Sequence, residues 1–147
     1  EDFYCAIASS FMLSADNAHA VHPHHPQKTD ATNCVYMNEG IVVKSHAGQK
    51  YTSDAVSIAV FKDLCKKANV PVQFFANRSD EAGGSTLGNI AMAQVSMNSV
   101  DIGLPQLAMH STYETAGIKD TYYMIQVMTE FFNSHISEVN SHSLKVD

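Results

Sequence analysis

The chain reads as an α/β fold, a largely parallel sheet with helices on both faces. Apolar runs of strand length alternate along it with stretches of helical period, and turn residues separate the two. The 147 residues, 45% hydrophobic and 16% charged, suffice for one packed core, and no internal repeat divides them.

Phe11-Met12-Leu13 is the first buried strand. The stretch 22–39 contains His-Pro-His-His-Pro, too broken by proline for regular structure, and reads as a surface loop. Residues 40–44, Gly-Ile-Val-Val-Lys, form a short strand. Thr52-Ser53-Asp54 caps a helix with apolar positions 55, 58, 59, 61, 64, 65 and 68, and Lys62, Lys66 and Lys67 suit its carboxyl end. Asn69-Val70-Pro71 stops it. A strand over 72–76, a helix over 85–95 behind Gly83-Gly84 and a strand over 100–103 follow. Asp120 then caps a final helix whose apolar face is 124, 125, 128, 131 and 132.

Charge and cysteine content exclude several function classes. A net charge of −6 without a basic stripe argues against nucleic acid and against anionic membrane surfaces as partners. No apolar run approaches the ~18 residues of a membrane span, and the chain opens on Glu-Asp-Phe-Tyr with no basic signal segment, so a soluble protein is expected. Cys5, Cys34 and Cys65 are odd in number and show no Cys-x-x-Cys spacing, as reduced structural thiols of a cytoplasmic protein do. In that compartment the Asn77-Arg78-Ser79 sequon has no consequence.

Two segments carry metal-binding chemistry. Ser14-Ala15-Asp16-Asn17-Ala18-His19 sets a carboxylate and an imidazole just past the first strand, and Leu107-Ala108-Met109-His110-Ser111 sets another imidazole behind the 100–103 run. Carboxylate oxygen and imidazole nitrogen are zinc donors where a catalytic position stays open. By spacing alone an aspartate after a strand is more often a turn or cap residue, and His110 a hydrogen-bonded loop residue. The tract His19, His22, His24, His25 is interrupted by two prolines, and His24 and His25 read as solvated. Gly83-Gly84-Ser85-Thr86-Leu87-Gly88 lacks the lysine of a phosphate loop, which leaves a helix-capping turn or a pocket wall. Arg78 and Asp80 either pair or support that turn, and Lys44 is a site cation or a lysine snorkelling from a strand end.

Taken together with Arg78-Ser79-Asp80 and the glycine turn, these two segments resemble the aspartyl aminopeptidases and their vacuolar aminopeptidase I relatives. The likeness runs with few gaps from Phe11 to Asp147 and includes Pro-Gln-Leu-Ala-Met-His-Ser uninterrupted at 105–111. It implies a three-layer α/β/α sandwich of the zinc exopeptidase type, with residues 1–147 as the carboxyl-terminal portion of a single catalytic domain. Such enzymes hold two zinc ions through a His-x-Asp histidine, a bridging aspartate, a Glu-Glu glutamate, and a later aspartate and histidine. Only the last two map here, to Asp16 and His110, one on each zinc. None of the eight histidines is followed two positions on by aspartate, and none of the six glutamates adjoins another. The general base, which with the metal makes water a nucleophile near neutral pH, is therefore absent as well.

The resemblance thus implies a zinc-dependent aminopeptidase that removes acidic amino-terminal residues from peptides, forms homo-oligomers, and needs an amino-terminal part to act. This chain alone is expected to be inactive. His19 is implied as a substrate-facing residue or one that orients Asp16, Lys44 as the cation meeting the acidic side chain, and Tyr51, Gly84 and Ser85 as pocket wall. Vacuolar relatives leave the vacuole open as a location beside the cytoplasm. The missing base also suits a different class, a noncatalytic assembly or binding module derived from half an enzyme.

Overall fold

In the computed structural model, which describes residues 1–140 and 143–147, a helix precedes the first apolar run. The elements in chain order are α1 (Asp2–Ala8), β1 (Phe11–Ala15), β2 (Ala18–His19), β3 (Ile41–Ser45), α2 (Ala55–Lys67), β4 (Val72–Ala76), α3 (Leu87–Gln94), β5 (Asn98–Gly103), β6 (Pro105–Leu107), β7 (Thr115–Ala116), α4 (Ile118–Asn133), β8 (Ile136–Asn140) and β9 (Ser143–Val146). The stretch 22–39 is irregular except for one 3₁₀ turn at Pro26–Lys28, as its prolines require.

The main sheet has the strand order β1-β5-β3-β4. β1 pairs with β5 and β3 with β4 in parallel, but the two pairs meet head to tail, because β3 lies antiparallel to β5. The sheet is therefore mixed, where the alternation of elements alone predicts a largely parallel one. β2, β6 and β7 form a small second sheet, and β8 and β9 a hairpin.

Side chains alternate across the main sheet. Ile41, Val43, Val100 and Ile102 face α2 and α4, where Val60, Phe61, Leu64, Cys65 and Val127 complete the larger core. On the other face Val42 and Phe75 pack with Val35 and Ala18. That face also carries α3, whose Gly88 N–H donates to Ser14 Oγ at 3.1 Å. Helix, sheet and helix give the three layers.

α2 starts as its sequence predicts. The Asp54 carboxylate accepts the N–H groups of Val56 and Ser57 at 2.8 and 2.9 Å, partners that the first turn of a helix otherwise lacks. Its buried stripe is Ser57, Val60, Phe61, Leu64 and Cys65, while Ala55 and Ala59 of the predicted face lie exposed. α4 departs further. It begins at Ile118 with Gly117 as its cap, and Asp120 does not cap it. Asp120 is instead fully buried, its carboxylate accepting the N–H groups of Asn38 at 2.5 Å and Gly40 at 3.0 Å, so it ties the approach to β3 onto the helix. The core-facing stripe of α4 is Tyr123, Met124, Val127 and Phe131. Ile125 and Phe132, expected inside, are 60% and 75% exposed, and with Ile118 and Tyr122 they make an apolar stripe toward solvent.

Candidate functional site

Asp16 stands immediately past β1, and its main chain is fixed on three sides. Its N–H donates to the Ile102 carbonyl at 2.9 Å, and its carbonyl accepts Lys44 Nζ at 2.9 Å. On the third side β5 passes so close that a Cβ on Gly103 would lie 1.9 Å from the Asp16 carbonyl oxygen. What remains free is the carboxylate, 58% exposed, with Oδ2 4.0 Å from Lys44 Nζ.

Lys44 does not snorkel. Its side chain is only 2% exposed, and Nζ sits 5.2 Å from the centre of the Tyr51 ring, a cation–π contact. Burial pushes the Lys44 ammonium pKa down, while the carboxylates of Asp16 and Asp101 hold it up. Asp101 is itself buried on β5. Its Oδ2 accepts the Thr52 N–H at 2.6 Å and the Thr52 hydroxyl at 3.1 Å, and its Oδ1 has no partner among the described residues. Tyr51 reaches Asn77 Oδ1 at 3.5 Å and packs edge-on against Phe75, and burial pushes its phenol pKa up, with Asp101 and Asp16 adding to the shift.

His110 lies in a turn that β6 and β7 bracket. Ala108 and His110 both have left-handed backbones, with φ of 57° and 67°, a strained state for residues with a Cβ. The His110 N–H donates to the Glu114 carboxylate at 2.6 Å, which secures the turn. His19 is held by the pairing of β2 with β6, in register with Gln106, and the neighbouring Asn17 amide donates to the Gln106 side chain. Burial lowers the His19 imidazole pKa, and the charges of His110 and Lys44 lower it further.

These residues meet. Asp16, His19, Lys44, Tyr51, Gly84, Ser85 and His110 all line one cleft of about 180 Å³. His22, His25 and Arg78 line a neighbouring cleft instead, and His24 and Asp80 line neither. Gly84 has open space around it, and the Gly83 carbonyl just before accepts Lys50 Nζ at 2.8 Å. Thr86 precedes α3 without a side-chain capping bond, and Gly83, Gly84, Ser85 and Thr86 all line the cleft. Arg78 and Asp80 pair with each other, Nε to Oδ1 at 2.8 Å, and Arg78 also donates to the Gln27 carbonyl, clamping the 22–39 loop.

The donors fit zinc in kind: an exposed carboxylate and an imidazole on one cleft. They fall short in number. Among the described residues no three His, Cys, Asp or Glu side chains gather as a metal-binding group. Phe75, Asn77 and Met109 also line the cleft; Met109 lies within the matched 105–111 string, and nothing in the sequence assigns Phe75 or Asn77 to the site. Asp101 did carry a signal, a carboxylate inside an otherwise apolar strand.

A family model for the aminopeptidase I zinc metalloproteases (M18) matches residues 1–132. The chain belongs to the M18 family. The probable M18 family aminopeptidase 2 of Clostridium novyi is 53% identical over 133 residues, covering 90% of this chain and 31% of that protein. The chain thus spans about a third of the length of the curated relatives it matches. Among solved structures, the Ape4 and Nbr1 complex holds a chain similar at a TM-score of 0.86 and 38% identity, covering 88% of this chain and 25% of that one. The mApe1 dodecamer of S. cerevisiae is similar at a TM-score of 0.79 and 26% identity, covering 90% and 28%. The family is described as one of zinc metalloproteases. Among the described residues no helix is long and apolar enough to cross a membrane.

Proposed function

We propose that this chain is the part of an M18 aminopeptidase that supplies one donor to each of two zinc ions, Asp16 and His110, together with the pocket for an acidic amino-terminal residue. One observation supports this above the others: Asp16 and His110, far apart in sequence, line a single cleft with a buried lysine. Zinc, when bound, acts as a Lewis acid on the peptide carbonyl and activates water. The chain's own residues bind and orient. Lys44 meets the substrate carboxylate, whose burial without a cation is costly. Tyr51, Gly84 and Ser85 wall the pocket, and His19 faces the substrate beside Asp16.

The general base and the other three zinc donors belong to sequence outside this chain, so the chain alone does not turn over substrate. Exposed apolar groups, Leu87 and Ile90 on α3 and the Ile118–Phe132 stripe on α4, support an adjoining part that covers them. The dodecamer of a similar protein supports homo-oligomers, and three unpaired cysteines support the cytoplasm.

An amino-terminal aspartyl chromogenic substrate tests the reading, assayed on this chain and on a polypeptide extended upstream, each with added zinc. Hydrolysis only by the extended form, lost in Asp16→Ala and His110→Ala, is expected. Zinc-dependent turnover by the chain alone would sink it.

A further inference from the structure

The cleft holding Asp16 and His110 does not end at His19. His19, Phe75, Asn77 and Ala82 are also walls of a second cleft, of about 250 Å³, which His22 and His25 line as well. Nothing in the proposed chemistry uses that second space.

Its two loop imidazoles are exposed, and each has a hydrogen-bonding neighbour in its own loop. The His24 main-chain N–H donates to His22 Nδ1 at 3.1 Å, Gln27 Nε2 lies 3.4 Å from His25 Nδ1, and the two rings stand 5.2 Å apart at a 38° tilt. The clamp from Arg78 to the Gln27 carbonyl holds the loop that carries them against the rest of the site. The charges largely cancel. Arg78 is engaged by Asp80, the Asp30 carboxylate accepts the N–H groups of Thr32 and Asn33 from its own loop, and Lys28 and Glu81 oppose one another in sign. Three imidazoles and the Phe75 ring line a cleft whose two cations and two carboxylates offset one another.

Direction follows from the sheet. β1 is an edge strand with one side of its ladder unpaired, and a groove lined by Met12, Leu13, Thr86 and Ile90 runs along it up to Asp16. The sheet's other edge, β4, carries Phe75 and Ala76 of the histidine cleft, so on the reading above zinc donors from outside this chain lie on the β1 side of Asp16. The histidine side is left for the remainder of the peptide.

We infer that the cleft between His19 and the His22–His25 pair binds the residue that follows the scissile bond, and favours an aromatic side chain there. This rests on the aminopeptidase reading above. The first cleft holds the amino-terminal residue at Lys44, and the next side chain lies between Phe75 and the two imidazoles, an aromatic contact worth about three- to tenfold in affinity.

The test is kinetic, on the intact zinc-loaded enzyme that contains this chain, with Asp-Phe-amide and Asp-Ala-amide as substrates. The ratio of their kcat/KM values should favour Asp-Phe-amide and fall about three- to tenfold in the His22→Ala/His25→Ala variant. His24→Ala, a neighbour outside both clefts, should keep the wild-type ratio. Both histidines are exposed, so His22→Ala and His25→Ala singly remain available if the double variant folds poorly, each with part of the fall. Cleavage of both peptides at an unchanged ratio in these variants overturns the subsite alone. Cleavage of neither by the wild-type enzyme overturns the aminopeptidase reading, and the subsite falls with it.

Discussion

Lys44 Nζ donates to the main-chain carbonyl of Asp16 at 2.9 Å, while the Asp16 carboxylate stands 4.0 Å from the same nitrogen. The lysine thus fixes the backbone of a candidate zinc donor and leaves its carboxylate exposed. An ammonium has three donors, and this arrangement commits one of them to the protein. On the function proposed above, the others meet a substrate carboxylate entering the cleft.

Lys44→Met keeps the buried stem and removes the donor. In the intact enzyme it should lower kcat/KM for aspartyl substrates by about ten- to a hundredfold more than for alanyl substrates, the size of a lost charge-assisted hydrogen bond. Equal losses for the two substrate classes would assign Lys44 to holding Asp16 and nothing more.

Glycine at 103 is a packing requirement, and glycine at 84 is not. Gly103→Ala drives a Cβ into the Asp16 carbonyl oxygen, with backbone and no flexible group to yield, whereas Gly84→Ala meets open space. Denaturant unfolding should show Gly103→Ala destabilised by at least about 2 kcal/mol and Gly84→Ala within about 0.5 kcal/mol of wild type. Similar values for both would contradict the close approach of β5 to Asp16.

Much of this was legible in the sequence, for reasons that differ by residue. The Asp54 cap and the strands at 41–45 and 72–76 follow from local pattern, because each depends on residues adjacent in the chain. β2, β6 and β7 have two or three residues each, too few to show alternation, and form only because β1 and β5 deliver them side by side. The helical face of α4 misread Ile125 and Phe132, since apolar character says nothing about which part of a larger assembly covers a position. Asp120 was misassigned for a related reason: a carboxylate near a helix start resembles a cap, and only the fold shows that Asn38 and Gly40 are its partners. The residues proposed for the site were singled out through the family likeness, and they line one cleft. The burial of Lys44 was not readable, because it depends on contacts between distant segments, and the left-handed turn at Ala108 and His110 was not, because neither position holds the glycine or asparagine that usually marks one.

Asp120→Ala strips partners from the Asn38 and Gly40 N–H groups and should cost about 2–4 kcal/mol of unfolding free energy. Asp120→Asn gives the pH dependence. Burial raises the Asp120 pKa, the two N–H bonds oppose this, and Glu39 adds to the rise. A carboxyl whose folded pKa is raised contributes stability that is fully present below its unfolded value, about 3.9, and lost as pH rises through the folded value. The stability of wild type relative to Asp120→Asn should therefore be greatest below about pH 4 and decline above it. A difference that grows with pH would refute the sign.

Cys65 is buried on α2, and desolvation pushes its thiol pKa up to about 12, whereas Cys5 is exposed. Limited alkylation of the native chain followed by mass spectrometry should label Cys5 first and leave Cys65 unmodified until denaturant is added. Early labelling of Cys65 would mean that α2 does not pack on the sheet as described.

The exposed stripe on α4 makes the final prediction. Ile118, Tyr122, Ile125 and Phe132 repeat at helical spacing on the face opposite Val127, and each is at least 60% exposed. Aligned apolar side chains of this kind bury one another when no covering element is present. The isolated chain should self-associate in sedimentation velocity as concentration rises, and Ile125→Lys/Phe132→Glu should return it to monomer with little change in the core, because neither side chain belongs to it. In a polypeptide extended upstream the same pair of substitutions should instead weaken folding or assembly, since the covering part then meets two buried charges. A wild-type chain that stays monomeric at high concentration would show that the stripe is simply solvated, and would remove it as support for an adjoining part.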